Sequence, residues 1–207
     1  MIKTKNILAC VILVGGKGSR LDGDGKYNQK IDKHTLLEHV YNRLKNQFNL
    51  VAININNKNR KITLKLEIIL DQFSNNVGPL AGIHAALIYG TKKLGKEGYV
   101  CIVPVDTPFL PNDLAERLYK NIKMNNSEVV FAKSGNRIHP TIGIWRNNLL
   151  SKLEDNINKG VRKIDLFTSN LKVSYEEWKV QDIDPFYNIN SYDDLKDAKK
   201  MAILISQ

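Results

Sequence analysis

Residues 7–14 form an unbroken apolar run, I-L-A-C-V-I-L-V, that stops at Gly15-Gly16. The residues that follow set Lys17, Arg20 and Lys26 among Gly18, Gly23 and Gly25. An apolar run ended by glycines reads as a buried strand passing into a loop. Glycine lets a backbone approach a ligand closely. Successive N–H groups in such a loop, helped by cationic side chains, suit a polyphosphate. Such a loop needs a sheet to mount it, a metal to work beside it and a second substrate. The same residues would also serve as an ordinary flexible connection from a strand to a helix.

The loop is neither of the two commonest phosphate motifs. A P-loop requires G-x-x-x-x-G-K-[ST], but Arg20 stands where its first glycine should be and Tyr27 where Ser or Thr should follow the lysine. A dinucleotide fingerprint requires G-x-G-x-x-G, and counting from Gly16 and Gly18 the third position is Leu21. This weakens a dinucleotide-dependent oxidoreductase.

The chain has 207 residues, which suits one domain over 1–207 with a three-layer core. No apolar stretch nears the roughly 18 residues of a membrane span. Lys3 and Lys5 precede the first apolar run, as in a signal peptide, but the run passes into a cationic loop without a small-residue cleavage site. Cys10 and Cys101 each lie inside an apolar run, as buried free thiols do. These features point to the cytoplasm. The net charge of +10 raises the question of nucleic acid. The lysines are scattered at helical spacing among polar residues (Lys92, Lys93, Lys96, Lys196, Lys199, Lys200), which favours a solvated basic face partly serving anionic substrates. No specific nucleic-acid binding is expected.

After the loop, Leu36, Leu37, Val40, Tyr41 and Leu44 recur at helical spacing, with Thr35 and Glu38 spaced as a capping box. His34 and His39 lack a Cys or carboxylate cluster and are expected to face solvent or cap this helix. Strands are predicted over 50–56 and 66–71. Pro79 suits a first helical turn, Leu80, Ile83, Ala86 and Leu87 give that helix its apolar face, and Gly82 would let something pack closely. A fourth strand spans 99–106, followed by a helix over 111–124. Strands over 128–132 and 141–145 flank a turn at Ser134-Gly135-Asn136. Helices follow over 147–158 and 164–169, then a short strand over 171–173 and a last helix over 192–205 with Ser191 as N-cap. There is no internal repeat, linker or low-complexity segment. Alternating strands and helices imply an α/β domain with a mostly parallel sheet covered on both faces. Ligands bind such sheets at the carboxyl ends of the strands, near the reversal of strand order. The loop, Asn54, Asp71 and Asp106 all follow a strand or end one.

A carboxylate at Asp106, after an apolar strand and before Pro108, is a good hard ligand for Mg²⁺, which commonly takes one or two carboxylates plus phosphate oxygens. Asp106 and Asp71 could equally be caps or turn formers. Beside a cationic glycine loop, a nucleotide–metal site explains both better. In nucleotidyl transfer an enzyme aligns an attacking oxygen with the leaving pyrophosphate and offsets charge on the α-phosphate.

Leu13-Val14-Gly15-Gly16-Lys17-Gly18-Ser19-Arg20-Leu21, followed by Lys26, resembles the L-A-G-G-x-S-x-R-M-G-x-D-K signature of nucleotidyltransferases, and more narrowly of the molybdenum cofactor guanylyltransferases. Val14 replaces the usual alanine, and Gly25 replaces the aspartate before the lysine. Gly78-Pro79-Leu80-Ala81-Gly82-Ile83 resembles their G-P-L-A-G-[IM], a segment where the related cytidylyltransferases differ. Val105-Asp106-Thr107-Pro108-Phe109 is similar to their C-D-x-P-[YF], and His139-Pro140-Thr141 to their H-P-[TL]. Gly160-Val161-Arg162-Lys163 resembles G-x-R-[RK], and Asn188-Ile189-Asn190-Ser191 with Asp194-Leu195 resembles N-[IV]-N-[ST]-x-x-[DE]-L. Each block is weak alone; the ordered set, spread over nearly the whole chain, is strong.

The resemblance implies a three-layer Rossmann-like nucleotidyltransferase fold of the nucleotide-diphospho-sugar transferase type. It implies transfer of GMP from GTP to the phosphate of molybdenum-bound molybdopterin, with release of pyrophosphate. Leu13, Val14, Gly15 and Gly16, with Gly78, Pro79 and Leu80, would hold guanine and the triphosphate. Lys26 and Arg20 would stabilise the transition state and Asp106 would hold Mg²⁺. Asn54 and Asp71 would bind the guanosine portion, with Asp71 accepting from guanine N1–H and N2–H₂. His139, Arg162, Lys163, Asn188 and Asn190 would lie nearer the molybdopterin. Arg162–Lys163 could instead be a surface turn, and Asn188 and Asn190 could be caps. Expected partners are GTP, molybdenum-molybdopterin and a protein that delivers it, with the enzyme itself a monomer. The alternatives are a CTP-dependent molybdopterin cytidylyltransferase or a sugar-phosphate nucleotidyltransferase of the same fold, or a non-catalytic basic nucleotide- or RNA-binding module.

Overall fold

The computed structural model describes residues 8–15, 25–56, 62–73 and 77–206. Seven strands form its main sheet. In chain order they are β1 (Leu8–Leu13), β4 (Leu50–Ile55), β5 (Glu67–Leu70), β6 (Tyr99–Pro104), β7 (Val129–Ser134), β8 (Arg137–Arg146) and β9 (Val173–Trp178). The two-residue strands β2 (Lys30–Ile31) and β3 (His34–Thr35) make a separate hairpin. The helices are α1 (Leu36–Leu44), α2 (Pro79–Leu94), α3 (Leu114–Met124), α4 (Leu150–Asn158), α5 (Ile164–Thr168) and α6 (Tyr192–Ser206).

The spatial order is β5-β4-β1-β6-β8-β7-β9. Strands β5, β4, β1 and β6 are parallel, and β8 alone runs against the other strands of this sheet. From β1 the chain steps outward to β4 and β5, then returns through α2 to β6 on the other side of β1. The order therefore reverses between β1 and β6, where a doubly wound sheet opens its ligand crevice.

Strict alternation in β1 supplies both faces. Leu8, Cys10, Ile12 and Val14 pack on one side with Leu37, Val40 and Leu44 of α1 and Leu114, Leu118 and Ile122 of α3. Ala9, Val11 and Leu13 pack on the other with Leu80, Ile83 and Leu87 of α2 and Leu153 and Ile157 of α4. A smaller third cluster joins Ile31, Leu36, Phe109, Ile189, Leu195 and Ala198.

Local chemistry explains the element ends. Thr35 Oγ1 accepts from the Glu38 N–H at 3.2 Å while the Glu38 carboxylate accepts from the Thr35 N–H at 2.7 Å, the expected capping box. Pro79 occupies the first turn of α2 after Gly78, whose φ of +65° favours glycine. The helix expected over 111–124 begins at Leu114, because Pro111 belongs to the preceding turn. The expected strands over 128–132 and 141–145 are longer. Their register jumps between Phe131↔Gly143 and Ala132↔His139, which leaves residues 140–142 without partners on β7, among them Pro140, which has no N–H to give the ladder. The short strand expected over 171–173 is corrected: β9 runs from Val173 to Trp178, and its S-Y-E-E stretch is polar because it lies on the edge of the sheet. Residues 147–149 form a 3₁₀ turn ahead of α4. His39 Nε2 lies 2.9 Å from Ile31 O, and His34 is exposed at 56% of its side chain. No described helix is long and apolar enough to cross a membrane.

His84 on α2 is an exception inside the second core. It is 3% exposed, edge-on to Phe73 at 4.8 Å, and neither ring nitrogen has a hydrogen-bond partner. Burial pushes its pKa below the usual 6.5, against the opposing pull of Glu154 and Asp71. A histidine that is depressed on folding contributes stability above its unfolded pKa and loses it as pH falls through the folded one. Thermal melts from pH 7.5 down to 5.5 should therefore show an acid-side loss of stability that His84→Leu makes shallower. The variant should be no less stable at pH 7.5, because it removes two unpartnered nitrogens. Parallel acid limbs in the two proteins would contradict this reading.

Candidate active site

Four parallel strands deliver their carboxyl ends to one edge of the sheet. Leu13 pairs with Asn54 and with Pro104, and Asn54 pairs with Ile69, so these residues form a row across β5, β4, β1 and β6. Backbone bonds continue the ladder past the row: Val14 N–H to Asn54 O at 2.9 Å, Val105 N–H to Leu13 O at 3.1 Å and Asp71 N–H to Ile55 O at 3.3 Å. The sequence thus brings Leu13, Val14, Gly15, Asn54, Asp71 and Asp106 together, as expected. Gly16 and Arg20 lie outside the described residues.

Two polar constellations stand on this edge. In the first, the Lys26 ammonium donates to Asp106 Oδ2 at 2.6 Å and to Asn190 Oδ1 at 2.7 Å. These residues lie 80 and 164 positions from Lys26 along the chain. The Ile189 N–H also donates to Asp106 O at 3.0 Å, docking the 188–190 segment beside β6. Asp194 fixes that segment in turn. Its carboxylate accepts from the N–H groups of Asn190 and Ser191, both at 2.8 Å, while Ser191 Oγ accepts from the Asp194 N–H at 3.1 Å. Burial pushes the Asp194 carboxyl up, but these hydrogen bonds and the charge of Lys26 outweigh it and hold the pKa below its usual value. The sequence reading misses this positioning by Asp194, although the Ser191-to-Asp194 spacing is that of a capping box.

In the second constellation, Asn54 is 2% exposed and its Nδ2 donates to Asp71 Oδ1 at 2.9 Å. Burial raises the Asp71 pKa, opposed by the Asn54 hydrogen bond and the proximity of His84.

Other residues named from the sequence take different places. The Leu13, Val14 and Leu80 side chains belong to the cores, so what they offer a ligand is backbone. Gly78 and Pro79 are exposed at the start of α2, whose dipole favours an anion, although Pro79 brings no N–H and the Ala81 N–H bonds Gly78 O at 3.3 Å. The basic turn abuts them: a Cβ on Gly78 would lie 3.5 Å from Arg162 O. The Arg162 guanidinium donates to Ile157 O and Val161 O at 2.7 and 2.9 Å, capping the end of α4, and Lys163 is exposed. His139 is buried. Its Nε2 lies 2.8 Å from Ser134 Oγ, its ring centroid is 5.0 Å from that of Phe186, and burial lowers its pKa. It therefore packs against Phe186, two residues before Asn188, and among the described residues makes no hydrogen bond to Asn188 or Asn190.

Asp106 Oδ1 and Asn188 Oδ1 are both buried without a hydrogen-bond partner. Orphaned buried oxygens are costly unless a ligand or cation satisfies them. They are the hard donors that suit Mg²⁺. No group of three or more His, Cys, Asp or Glu stands ready for a metal among the described residues. That suits a cation taking one carboxylate here and its other oxygens from a nucleotide.

Comparison with known proteins agrees with this geometry. Residues 10–171 match the family model of the MobA-like NTP transferase domain. The chain is 35% identical over 197 residues to a molybdenum cofactor guanylyltransferase of Nitrobacter hamburgensis, covering 94% of each protein. It is 31% identical to a protein of the same name from Haemophilus influenzae, covering 91% of this chain and 96% of that one. Among solved structures it resembles the molybdopterin-guanine dinucleotide biosynthesis protein A of Archaeoglobus fulgidus, with a TM-score of 0.76 at 25% identity over 95% of this chain and 99% of the other. A CMP-2-keto-3-deoxy-manno-octonic acid synthetase shares the fold alone, with a TM-score of 0.69 at 11% identity over 96% of this chain and 98% of that one. The chain belongs to the MobA-like NTP transferase family.

Proposed function

We propose that this protein transfers GMP from GTP to the phosphate of molybdenum-bound molybdopterin. A phosphate oxygen of the pterin attacks the α-phosphorus of GTP, the bond from that phosphorus to the β-phosphate bridging oxygen breaks, and pyrophosphate leaves. One observation carries the reading: the Lys26–Asp106–Asn190 and Asn54–Asp71 constellations share one sheet edge beside the reversal of strand order. The guanylyltransferase relatives that match over nearly the whole chain support the same acceptor and base.

On this reading the residues divide the work. Asp71, anchored by Asn54, presents a carboxylate to the N1–H and N2–H₂ of guanine. The start of α2, the 160–163 turn and the glycine loop attract phosphate oxygens, the first through its dipole. Lys26 shifts from Asp106 and Asn190 toward the phosphates and stabilises the charge that develops there. Asn190, once Lys26 has left its Oδ1, would orient the pterin end, and the unpartnered Oδ1 of Asn188 is open to the pterin or to the cation. Asp106, with its unsatisfied Oδ1, would hold Mg²⁺, which when bound offsets phosphate charge that lysine alone cannot.

Purified protein given Mg²⁺ and molybdenum-molybdopterin should release pyrophosphate with GTP and not with CTP, ATP or UTP. Release with CTP instead would keep the mechanism and overturn the guanine assignment. No release from folded protein with any of the four would overturn the reaction. Lys26→Ala should lower kcat on the order of 10²-fold or more, as for other groups that stabilise developing charge. Asp106→Asn should lower kcat by at least that much while GTP affinity changes by less than about 10-fold, because its role belongs to the transition state. Single-turnover rates alongside equilibrium GTP binding separate the two effects. A rise in KM alone would make either residue one that binds substrate and transition state equally.

A further inference from the structure

Gly82 lies in the third position after Pro79 on α2, facing the sheet, and is buried. It is not among the glycines with positive φ, so no left-handed backbone calls for it. Within a helix, glycine is the poorest former after proline. The reason for it lies in what it faces. A Cβ built there would meet Asn54 Oδ1 at 2.8 Å and Leu13 Cδ2 and Cδ1 at 3.1 and 3.6 Å. The nearest atoms are thus the ends of two side chains, with no backbone atom among them. Leu13 and Asn54 are partners across β1 and β4, so the helix lies directly over that pair.

The Asn54 amide has little room to retreat. Its Nδ2 donates to Asp71 Oδ1 at 2.9 Å and reaches Ile69 O at 3.5 Å, and the residue is almost wholly buried. Its backbone carbonyl is held by the Val14 N–H at 2.9 Å. A methyl group at position 82 would therefore turn the amide away from Asp71 and leave the fold otherwise in place.

The geometry points to Gly82 as a positioning residue for base selection: its bare Cα makes room for the Asn54 amide, which fixes the Asp71 carboxylate for two neighbouring donors on the base. The inference rests on the reading that Asp71 meets guanine. A carboxylate held by one oxygen from behind cannot swing freely. Released from Asn54, Asp71 would still attract a donor but would no longer demand two at fixed spacing. Gly82 would then govern discrimination between bases more than attraction of the triphosphate.

The experiment is equilibrium binding of GTP and of ITP, whose base lacks the 2-amino group, to the full chain without turnover. The proteins compared are wild type, Gly82→Ala, Asn54→Ala, the double variant and Asp71→Asn. Wild type should prefer GTP by about 10- to 100-fold, the scale of one hydrogen bond to a charged group. Asp71→Asn should abolish the preference. Gly82→Ala should fold with a Tm close to wild type and reduce the preference to about 3-fold or less, in step with that lost bond. Asn54→Ala should do the same, and adding Gly82→Ala to it should cost nothing more, since the clash has been removed. A Gly82→Ala protein that keeps the preference, fails to fold, or adds its loss to that of Asn54→Ala overturns the inference. If wild type does not distinguish GTP from ITP, or Asp71→Asn still does, the reading of Asp71 fails instead.

Discussion

The Lys26 ammonium holds together three segments that the chain separates by 80 and 164 residues. A cation this far out of water needs acceptors, and it finds one charged oxygen on Asp106 and one neutral oxygen on Asn190. The neutrality of Asn190 has a consequence. A second carboxylate there would leave the trio with a net negative charge beside a site meant for phosphates. With Asn190 the trio sums to zero. On the proposed reading, attraction for a polyanion would then come from the start of α2, from the 160–163 turn and from the general excess of +10.

The third apolar cluster is the counterpart of that polar trio. Each of the three segments also contributes a residue to it: Ile31 follows Lys26 by one turn and a strand, Phe109 follows Asp106, and Ile189 precedes Asn190. Leu195 and Ala198 of α6 complete the cluster. Burial of these side chains brings the segments close, and the hydrogen bonds then fix which atoms meet. Polar contacts are directional but worth little net in water, whereas apolar burial is strong and undirected. The site uses both within a few residues of each other.

How much of this was legible in the sequence follows from the same physics. Strands buried on both faces read as continuous apolar runs, so β1, β4 and β6 stood out, and so did Asn54 and Asp106 at the ends of β4 and β6; the short run before Asp71 marked β5, although that edge strand is only partly buried. The Thr35–Glu38 box and the Ser191 N-cap were legible because capping follows local residue types and spacing, whereas the hold of Asp194 on the Asn190 N–H was not. Strand β9 was not, because an edge strand with S-Y-E-E has no apolar run, and its pairing with β7 is set by residues more than 40 positions away. The register jump at Pro140 needs two strands before it exists at all. The environments of His139 and Arg162 were equally hidden: a ring resting on Phe186 and a guanidinium capping α4 are long-range or rotameric facts that a motif does not carry. The resemblance named these residues, but only the fold distinguishes a side chain that supports a site from one that lines it.

Helix α2 shows how far packing constrains what a surface motif would leave free. Two of its glycines, Gly82 and Gly90, each face an asparagine: a Cβ would lie 2.8 Å from Asn54 Oδ1 at one and 2.5 Å from Asn147 Oδ1 at the other. At Gly90 the outcome is structural, since Asn147 uses its Nδ2 to hold Gly95 O at 2.9 Å where the helix ends. At Gly82 the same close approach falls where β1 and β4 present their carboxyl ends, so the asparagine it admits holds Asp71 instead. Helix α2 thus makes two such close approaches along its length. What turns one of them into part of a site is its distance from the strand ends, where backbone pairing stops and a side chain can serve a ligand instead of the core.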